Sequence, residues 1–161
     1  MWMQNVEGGG AQLSFELPVD AGGADVAALR ASKAAERRFS ILVVEDEEMV
    51  RRAMTLLAKR LGHEVTAVGR FDEAAQRLGD PAGRYDAFLV DVHLDEAHTG
   101  FDLFEQLRVE GRGRERRIIF TTGDSISANT REALEHADRP VLRKPFSLDE
   151  LREMVDRVVG V

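Results

Sequence analysis

The chain has 161 residues, of which 43% are hydrophobic and 32% charged, with a formal net charge of −7 and no cysteine. This composition is typical of a globular protein and excludes disulfides and thiolate metal sites. The acidic balance argues against a nucleic-acid partner, which requires clustered basic charge. No apolar run approaches the ~20 residues that span a bilayer, so the sequence predicts no membrane contact. The lack of cysteine makes the cytoplasm the expected compartment.

The first 39 residues predict little regular structure. Ala11–Leu17 alternates apolar and polar residues, which predicts a half-buried strand that ends before Pro18. No strand is predicted ahead of Gly8–Gly10. Leu13 and Phe15 are expected to pack on a neighbouring sheet, to pair with another chain, or to stay disordered. Residues 19–39 predict a linker, with a possible helix over Asp25–Arg38.

From Ser40 to Val161, short apolar runs alternate with helical stretches. The predicted strands are Ile41–Val44, His63–Val68 at an edge, Ala87–Val90, Ile118–Phe120 and Val141–Leu142. The predicted helices include the segments Val50–Leu61, Ala74–Leu78, Leu103–Leu107, Thr130–Ala137 and Leu148–Val158. Gly62 and Gly79 are predicted to lie just after the ends of the first two. Ser147 and Glu150 form a capping box, and Arg112–Arg117 is predicted to be a solvated loop.

Five β–α units in succession predict a doubly wound α/β fold, in which helices cover both faces of a parallel sheet. In open sheets of this class, ligands bind beyond the carboxyl ends of the strands. The residues at these ends are therefore the candidates for a functional site.

Polar residues follow four of the predicted strands. Glu45 and Asp46 follow the first, Asp91 the third, Thr122 the fourth and Lys144 the fifth. Crowded carboxylates favour a divalent cation, and all-oxygen ligands favour Mg²⁺. A carboxylate beside that cation can attack phosphorus, while a cation and a hydroxyl neutralise the phosphoryl oxygens. The set predicts an aspartyl phosphate on Asp91. Glu47 and Glu48 are explained by the dipole of the next helix alone.

The segments ILVVEDEE, YDAFLVDVHL, IIFTTGDS and VLRKPF resemble those of two-component receiver domains, in the same order. The resemblance covers residues 40–161 and implies a flavodoxin-like (βα)5 fold with strand order 2-1-3-4-5. It implies that Asp91 is the phosphoacceptor and that Thr122 and Lys144 contact the phosphoryl group. It also implies a cis bond before Pro145. The implied Mg²⁺ ligands are Asp46, Asp91, Glu45 through water, and the backbone carbonyl of His93.

The sequence departs from the family pattern at several positions. Glu45 stands where an aspartate is common, and Asp95 stands where a proline is common, in a loop about one residue longer than usual. Val141 replaces the usual aromatic ring, so a ring flip cannot report phosphorylation. His93 and Asp124 lie two residues after Asp91 and Thr122. We expect these two residues to set the lifetime of the phosphoryl group, although His93 is equally well explained as a solvent-facing loop residue.

The segment GGGAQLSFELP resembles the last glycine turn and final strand of a histidine-kinase ATP-binding domain. Residues 1–18 would then be the tail of that domain, 19–39 a linker, and the parent protein a hybrid sensor kinase. The receiver itself would catalyse only its own phosphotransfer and dephosphorylation. Its partner would be a histidine kinase domain or a histidine phosphotransfer protein, and a homodimer is possible.

Three alternatives remain open from the sequence. A free-standing response regulator, with no DNA-binding domain after Val161, would act through protein contacts. A Mg²⁺-dependent aspartyl phosphatase would need a second aspartate two residues after the nucleophile, where this chain has His93. A degenerate receiver acting as a scaffold is disfavoured by the complete acidic, threonine and lysine set.

Overall fold

A computed structural model describes residues 2–5, 11–14, 38–79, 83–95, 97–123 and 127–160, the first two ranges as backbone only. The chain divides into two compact units, Met1–Glu36 and Arg37–Val161. Across the described residues, no helix combines the length and the apolarity needed to cross a membrane.

The first unit contains a β-hairpin. Strand β1 (Trp2–Asn5) pairs antiparallel with β2 (Ala11–Ser14), with Trp2 opposite Ser14 and Asn5 opposite Ala11. The predicted strand is therefore present over Ala11–Ser14, and the prediction that none precedes the glycines is wrong. The backbone of Leu13 pairs with Met3 of the same chain. Phe15 and the possible helix over residues 25–37 lie outside the described residues.

Within its described residues, the second unit contains five parallel strands, five α-helices and one short 3₁₀ turn. The strands are β3 (Ser40–Val44), β4 (Glu64–Val68), β5 (Ala87–Asp91), β6 (Ile118–Thr122) and β7 (Val141–Arg143). The helices are α1 (Glu48–Arg60), α2 (Phe71–Gly79), α3 (Gly100–Val109), α4 (Ala128–Ala137) and α5 (Leu148–Val159), and the turn spans Arg114–Arg117.

The sheet order is β4-β3-β5-β6-β7, and every neighbouring pair is parallel. Counted within this unit, the order is 2-1-3-4-5, so the predicted doubly wound fold and strand order are confirmed. Strand β4 lies at an edge, as its mixed composition predicted. The order reverses between β3 and β5, which places the switch point of the sheet beside the ends of these two strands.

Apolar side chains alternate between the two faces of the sheet. Leu42, Phe88 and Phe120 point to a cluster that α2, α3 and α4 cover, whereas Ile41 and Leu89 point to a cluster beneath α1 and α5. The central strands β3, β5 and β6 are buried on both faces because helices cover both, and this burial explains their continuous apolar runs. Tyr85 packs edge-on against Phe88, with ring centroids 6.1 Å apart.

Most predicted helix boundaries agree with the structure. Gly62 follows α1 in the left-handed region, with φ of 91°, and Ser147 and Glu150 form the predicted capping box. Gly79 differs, because it is the last residue of α2 and not a residue beyond it. Arg112, Arg116 and Arg117 of the arginine cluster are exposed, as predicted, but Arg114 differs. The Arg114 side chain is only 19% exposed, pairs with Glu110 and donates to the Leu78 carbonyl at 3.2 Å, so it is a packed residue and not a solvated one.

Candidate functional site

The predicted site residues meet at the carboxyl edge of the sheet. Asp91 and Thr122 are the last residues of β5 and β6, and Glu45 and Lys144 directly follow β3 and β7. Glu45, Asp91 and Thr122 are 1%, 7% and 2% exposed. Parallel strands end at a common edge, so residues distant in the sequence become neighbours there.

Lys144 joins two of the carboxylates. Its ammonium Nζ donates to Glu45 Oε2 at 2.6 Å and to Asp91 Oδ2 at 2.9 Å. Its backbone N–H donates to the Thr122 carbonyl at 2.7 Å, which fixes the start of the loop after β7. The following Lys144–Pro145 peptide bond is cis. One cation therefore bridges side chains that are 53 and 99 positions away along the chain.

Three carboxylates form a cluster that fits a divalent cation. Oxygen atoms of Glu45, Asp46 and Asp91 all lie within 4.8 Å of one another, and Asp46 is exposed while the other two are buried. Hard oxygen donors of this kind suit Mg²⁺, which retains several waters and takes few protein ligands. Asp46 opens the cluster to solvent, and a cation bound there would polarise a phosphoryl oxygen next to Asp91.

The electrostatics of the cluster are dominated by Glu45. Burial, together with the neighbouring charges of Asp91 and Asp46, raises the pKa of Glu45 from 4.5 to about 7, although Lys144 acts in the opposite direction. Burial also lowers the pKa of Lys144, but hydrogen bonds to Glu45 and Asp91 outweigh this effect and the net shift is upward. The Lys144 ammonium is therefore charged at neutral pH, and the Glu45 carboxyl group is partly protonated near pH 7.

The pKa of Glu45 predicts an unusual pH dependence of folding. Between pH 4.5 and about 7, the folded protein holds a proton that the unfolded chain has released. Stability should therefore fall as pH rises through this window, by an amount on the order of 2 kcal/mol. Urea unfolding at several pH values, without Mg²⁺, measures this loss.

Glu45→Gln is the control for this prediction, because it keeps the size of the side chain and cannot titrate. We expect the variant to lose the decline in stability across the same window. An equal decline in both proteins would contradict the assignment to Glu45.

Thr122 is buried, and its hydroxyl donates to the carbonyl of Gly123 at 3.4 Å. This distance is long for a hydroxyl donor, so the bond is weak and the group is free to turn to a better acceptor. Thr121, the residue before it, lies opposite Asp91 in the register of β5 and β6. The register therefore places Thr122 one residue beyond the end of β5.

The structure treats differently the three positions singled out for how the site is tuned, which are His93, Asp124 and Val141. His93 is exposed, and its backbone forms an antiparallel bridge with Thr99. Val141 is half-buried and packs against the cluster that contains Phe120, so an aliphatic side chain occupies this position in β7. Asp124 lies outside the described residues. Glu47 and Glu48 lie at the N-cap and in the first turn of α1, as predicted from the helix dipole.

Arg51 is a site residue that the sequence did not reveal. Its Nη1 donates to the backbone carbonyls of Glu45 at 2.7 Å and Asp46 at 3.0 Å. A side chain from α1 thus holds the turn that carries two of the carboxylates. Its position in the first turns of α1 gave no signal by itself, since arginine is an ordinary helix residue.

Gly100 allows the chain to pass close behind Asp91. A Cβ at position 100 would lie 2.4 Å from the carbonyl oxygen of Asp91 and 3.0 Å from Cγ1 of Val90. Because the first obstacle is backbone, we expect Gly100→Ala to reduce stability by about 1–3 kcal/mol. Thermal unfolding measures this loss. Gly79→Ala is the matched control, because a Cβ there meets nothing within 4 Å. Equal stability of the two variants would contradict the close approach.

The geometry agrees with comparisons to known proteins. Residues 41–156 match the response regulator receiver domain. The chain therefore belongs to the response regulator receiver family of two-component signalling, whose members are phosphorylation-controlled switches that bind Mg²⁺ in an acidic pocket.

Two curated relatives show how such domains are used. The chain is 30% identical over 121 residues to the DNA-binding transcriptional regulator NtrC of Azospirillum brasilense, covering 75% of this chain but 24% of that protein. It is 28% identical over 122 residues to the chemotaxis protein CheY1 of Helicobacter pylori (strain J99 / ATCC 700824), covering 76% of this chain and 98% of that protein. The chain thus spans about a quarter of the first relative and nearly all of the second.

A solved structure resembles the receiver unit closely. It is the receiver domain of a sensor histidine kinase from Pseudomonas aeruginosa, which has a magnesium ion coordinated in its active site cleft. The TM-score is 0.64 and the identity 26%, and the similarity covers 78% of this chain and all of that one. The acidic cluster of Glu45, Asp46 and Asp91 has the donor chemistry that such an ion requires.

Proposed function

We propose that this chain accepts a phosphoryl group from a phosphohistidine onto Asp91 in a Mg²⁺-dependent reaction, and so acts as a cytoplasmic signalling switch or relay. The observation that supports this proposal most directly is the Lys144 ammonium bonded to both Glu45 and Asp91, beside the carboxylate of Asp46. A nucleophile, a cation and a metal-binding carboxylate then share one pocket, as phosphoryl transfer requires.

The transfer needs only the phosphohistidine donor, the residues of the pocket, Mg²⁺ and a proton from solvent. An oxygen of the Asp91 carboxylate forms a bond to phosphorus, and the bond from phosphorus to the imidazole nitrogen of the donor breaks. The imidazole keeps the electron pair and regains a proton from solvent. Lys144 neutralises one phosphoryl oxygen and Thr122 donates a hydrogen bond to another. Asp46, Asp91 and the His93 carbonyl would hold Mg²⁺, with Glu45 acting through water, and the ion would supply further positive charge.

The switch follows from the charge that the phosphoryl group brings. It adds about 1.5–2 negative charges to the acidic pocket. Lys144 would then exchange its bond to Asp91 for the phosphoryl group, and the Thr122 hydroxyl would leave the weak bond to Gly123. Thr122 ends the strand that leads into α4, and Lys144 follows the strand that leads into α5, so these elements would change position. With Val141 in β7, this change would not use an aromatic ring. His93 and Asp124 would set the phosphoryl lifetime.

The wider context is a hybrid histidine kinase. Residues 1–18 would be the tail of the kinase domain, which the glycines and the strand Ala11–Ser14 support. Residues 19–39 would be a linker, and residues 40–161 the receiver. The donor would be a histidine kinase domain or a histidine phosphotransfer protein. The gene sequence that encodes residues upstream of Met1 tests this context. Finding no kinase domain there would favour the free-standing regulator.

The test of the receiver function is labelling by a small phosphodonor such as acetyl phosphate, with and without Mg²⁺. We expect a mass gain of one phosphoryl group that requires Mg²⁺ and is released by hydroxylamine, as an acyl phosphate should be. Turnover of a generic phosphate ester would instead favour the aspartyl phosphatase. A protein that stays unlabelled with a good donor and Mg²⁺ would refute the proposal.

A further inference from the structure

The acceptor loop, residues 92–99, connects Asp91 at the end of β5 to Gly100 at the start of α3. Its base is closed by backbone contacts. The Gly100 N–H donates to the Val92 carbonyl at 2.9 Å, and His93 forms an antiparallel bridge with Thr99. The bridge joins the His93 backbone to Thr99, the residue after His98, so contacts that order the loop at His98 also bear on His93.

Asp95 folds the tip of the loop. Its Oδ1 accepts hydrogen bonds from the backbone N–H groups of Ala97 at 2.8 Å and His98 at 2.7 Å. Its own N–H donates to the His98 carbonyl at 3.2 Å. The Ala97 amide is the largest cause of a lowered pKa at Asp95, so the side chain is a carboxylate at neutral pH. An aspartate that accepts bonds from residues two and three positions later forms a local turn.

His98 ties this turn to a different helix. Its ring stacks on Phe71 at a centroid distance of 4.2 Å, with an angle of 3° between the planes. Its Nδ1 lies 3.2 Å from Asp95 Oδ1. Phe71 is the first residue of α2 and packs against the core cluster beneath that helix. The side chains of His98 and Asp95 are only 37% and 35% exposed, so the contact is partly shielded from solvent.

We propose that Asp95 and His98, anchored on Phe71, are positioning residues that fix the acceptor loop and thereby hold the His93 backbone beside Asp91. The inference deepens the proposed function, on which it rests for the assignment of the His93 carbonyl to the Mg²⁺ site. A ligand atom on a loop binds well only if the loop is already ordered, since ordering it on binding costs affinity. In this chain a hydrogen-bonded aspartate and a stacked ring provide the rigidity that a proline would provide in related sequences.

Two variants remove the anchor in different ways. His98→Ala removes the stacked ring and its contact with Asp95. Phe71→Leu keeps an apolar side chain against the core but removes the flat surface that His98 stacks on. His98→Phe restores the stack without the histidine, and His136→Ala is the control for loss of a histidine elsewhere in the described chain.

The first measurement is amide hydrogen exchange by NMR, without Mg²⁺. We expect the Ala97 and His98 amides to exchange roughly 3- to 10-fold faster in His98→Ala and Phe71→Leu, with amides of β5 unchanged. The second measurement is calorimetric titration with Mg²⁺. Both variants should bind Mg²⁺ roughly 3- to 10-fold more weakly, with His98→Phe close to the native value and His136→Ala equal to it.

The outcomes separate the inference from the proposed function. Native exchange rates in both variants, or faster exchange with unchanged Mg²⁺ affinity, would overturn the positioning role alone. Failure of the native protein to bind Mg²⁺ would overturn both. A loss of affinity accompanied by faster exchange throughout β5 would also overturn the positioning role, because the variant would then have damaged the whole domain.

Discussion

Asp91→Asn should lower phosphorylation of the chain by about 100-fold or more, because an amide is a far weaker nucleophile toward phosphorus than a carboxylate. The two side chains have nearly the same size, so the buried pocket should keep its shape. The substitution removes one charge from a crowded set of three carboxyl groups, and Lys144 keeps its hydrogen bond to Glu45, so the folded protein should keep about its native stability. Mass spectrometry after incubation with acetyl phosphate and Mg²⁺ measures the labelling.

Asp149→Asn is the matched control for this substitution. Asp149 is an exposed aspartate in the first turn of α5, with a side chain 88% exposed, and its replacement should leave labelling at the native level. If Asp91→Asn were labelled at the native rate while remaining folded, the phosphoacceptor would be another residue and the proposed chemistry would be wrong.

Lys144→Met should slow phosphorylation by roughly 100-fold while leaving Mg²⁺ binding intact or stronger. The slower rate follows because the only ammonium that bonds to Asp91 in the described chain is lost, and with it the charge opposite the phosphoryl oxygens. Tighter Mg²⁺ binding follows because Lys144 no longer competes for Glu45 Oε2 and Asp91 Oδ2. Initial labelling rates and calorimetric titration measure the two effects separately.

Lys59→Met provides the control for the lysine substitution. Lys59 lies in the last turn of α1 and is exposed, so its replacement should change neither quantity. A parallel fall in rate and in Mg²⁺ affinity in Lys144→Met would indicate that the pocket had collapsed. A native rate in that variant would contradict the role of the ammonium.

The three central strands of the receiver unit, β3, β5 and β6, were predictable because each is buried on both faces. That burial requires unbroken apolar runs, as at Ala87–Val90, and such runs are visible in a sequence without any knowledge of partners. The clustering of the candidate site residues was predictable for a related reason. A parallel sheet brings the ends of its strands to one edge, so Asp91 and Lys144 had to be neighbours once the fold was known.

What the sequence did not predict depends on contacts that a side chain makes outside its own helix or turn, with another side chain or with a backbone carbonyl. Nothing local distinguishes Arg114, which packs against the Leu78 carbonyl, from its exposed neighbours. Arg51 and the stacked pair of Phe71 and His98 gained their roles only when separate elements came together. Strand β1 was missed because a four-residue strand gains most of its stability from pairing, which a single segment does not reveal.

The chain carries one tryptophan and one tyrosine, and they lie in different units. Trp2 belongs to the N-terminal hairpin, whereas Tyr85 packs beside Phe88 in the receiver core. Intrinsic fluorescence thus contains two natural probes: the indole absorbs beyond the phenol band and can be excited alone, whereas the phenol is excited together with the indole and is distinguished by its shorter emission wavelength. The emission of the selectively excited indole would report unfolding of the hairpin. The emission of the phenol would report unfolding of the receiver unit. A single unlabelled sample can therefore show whether the two parts unfold together or one after the other.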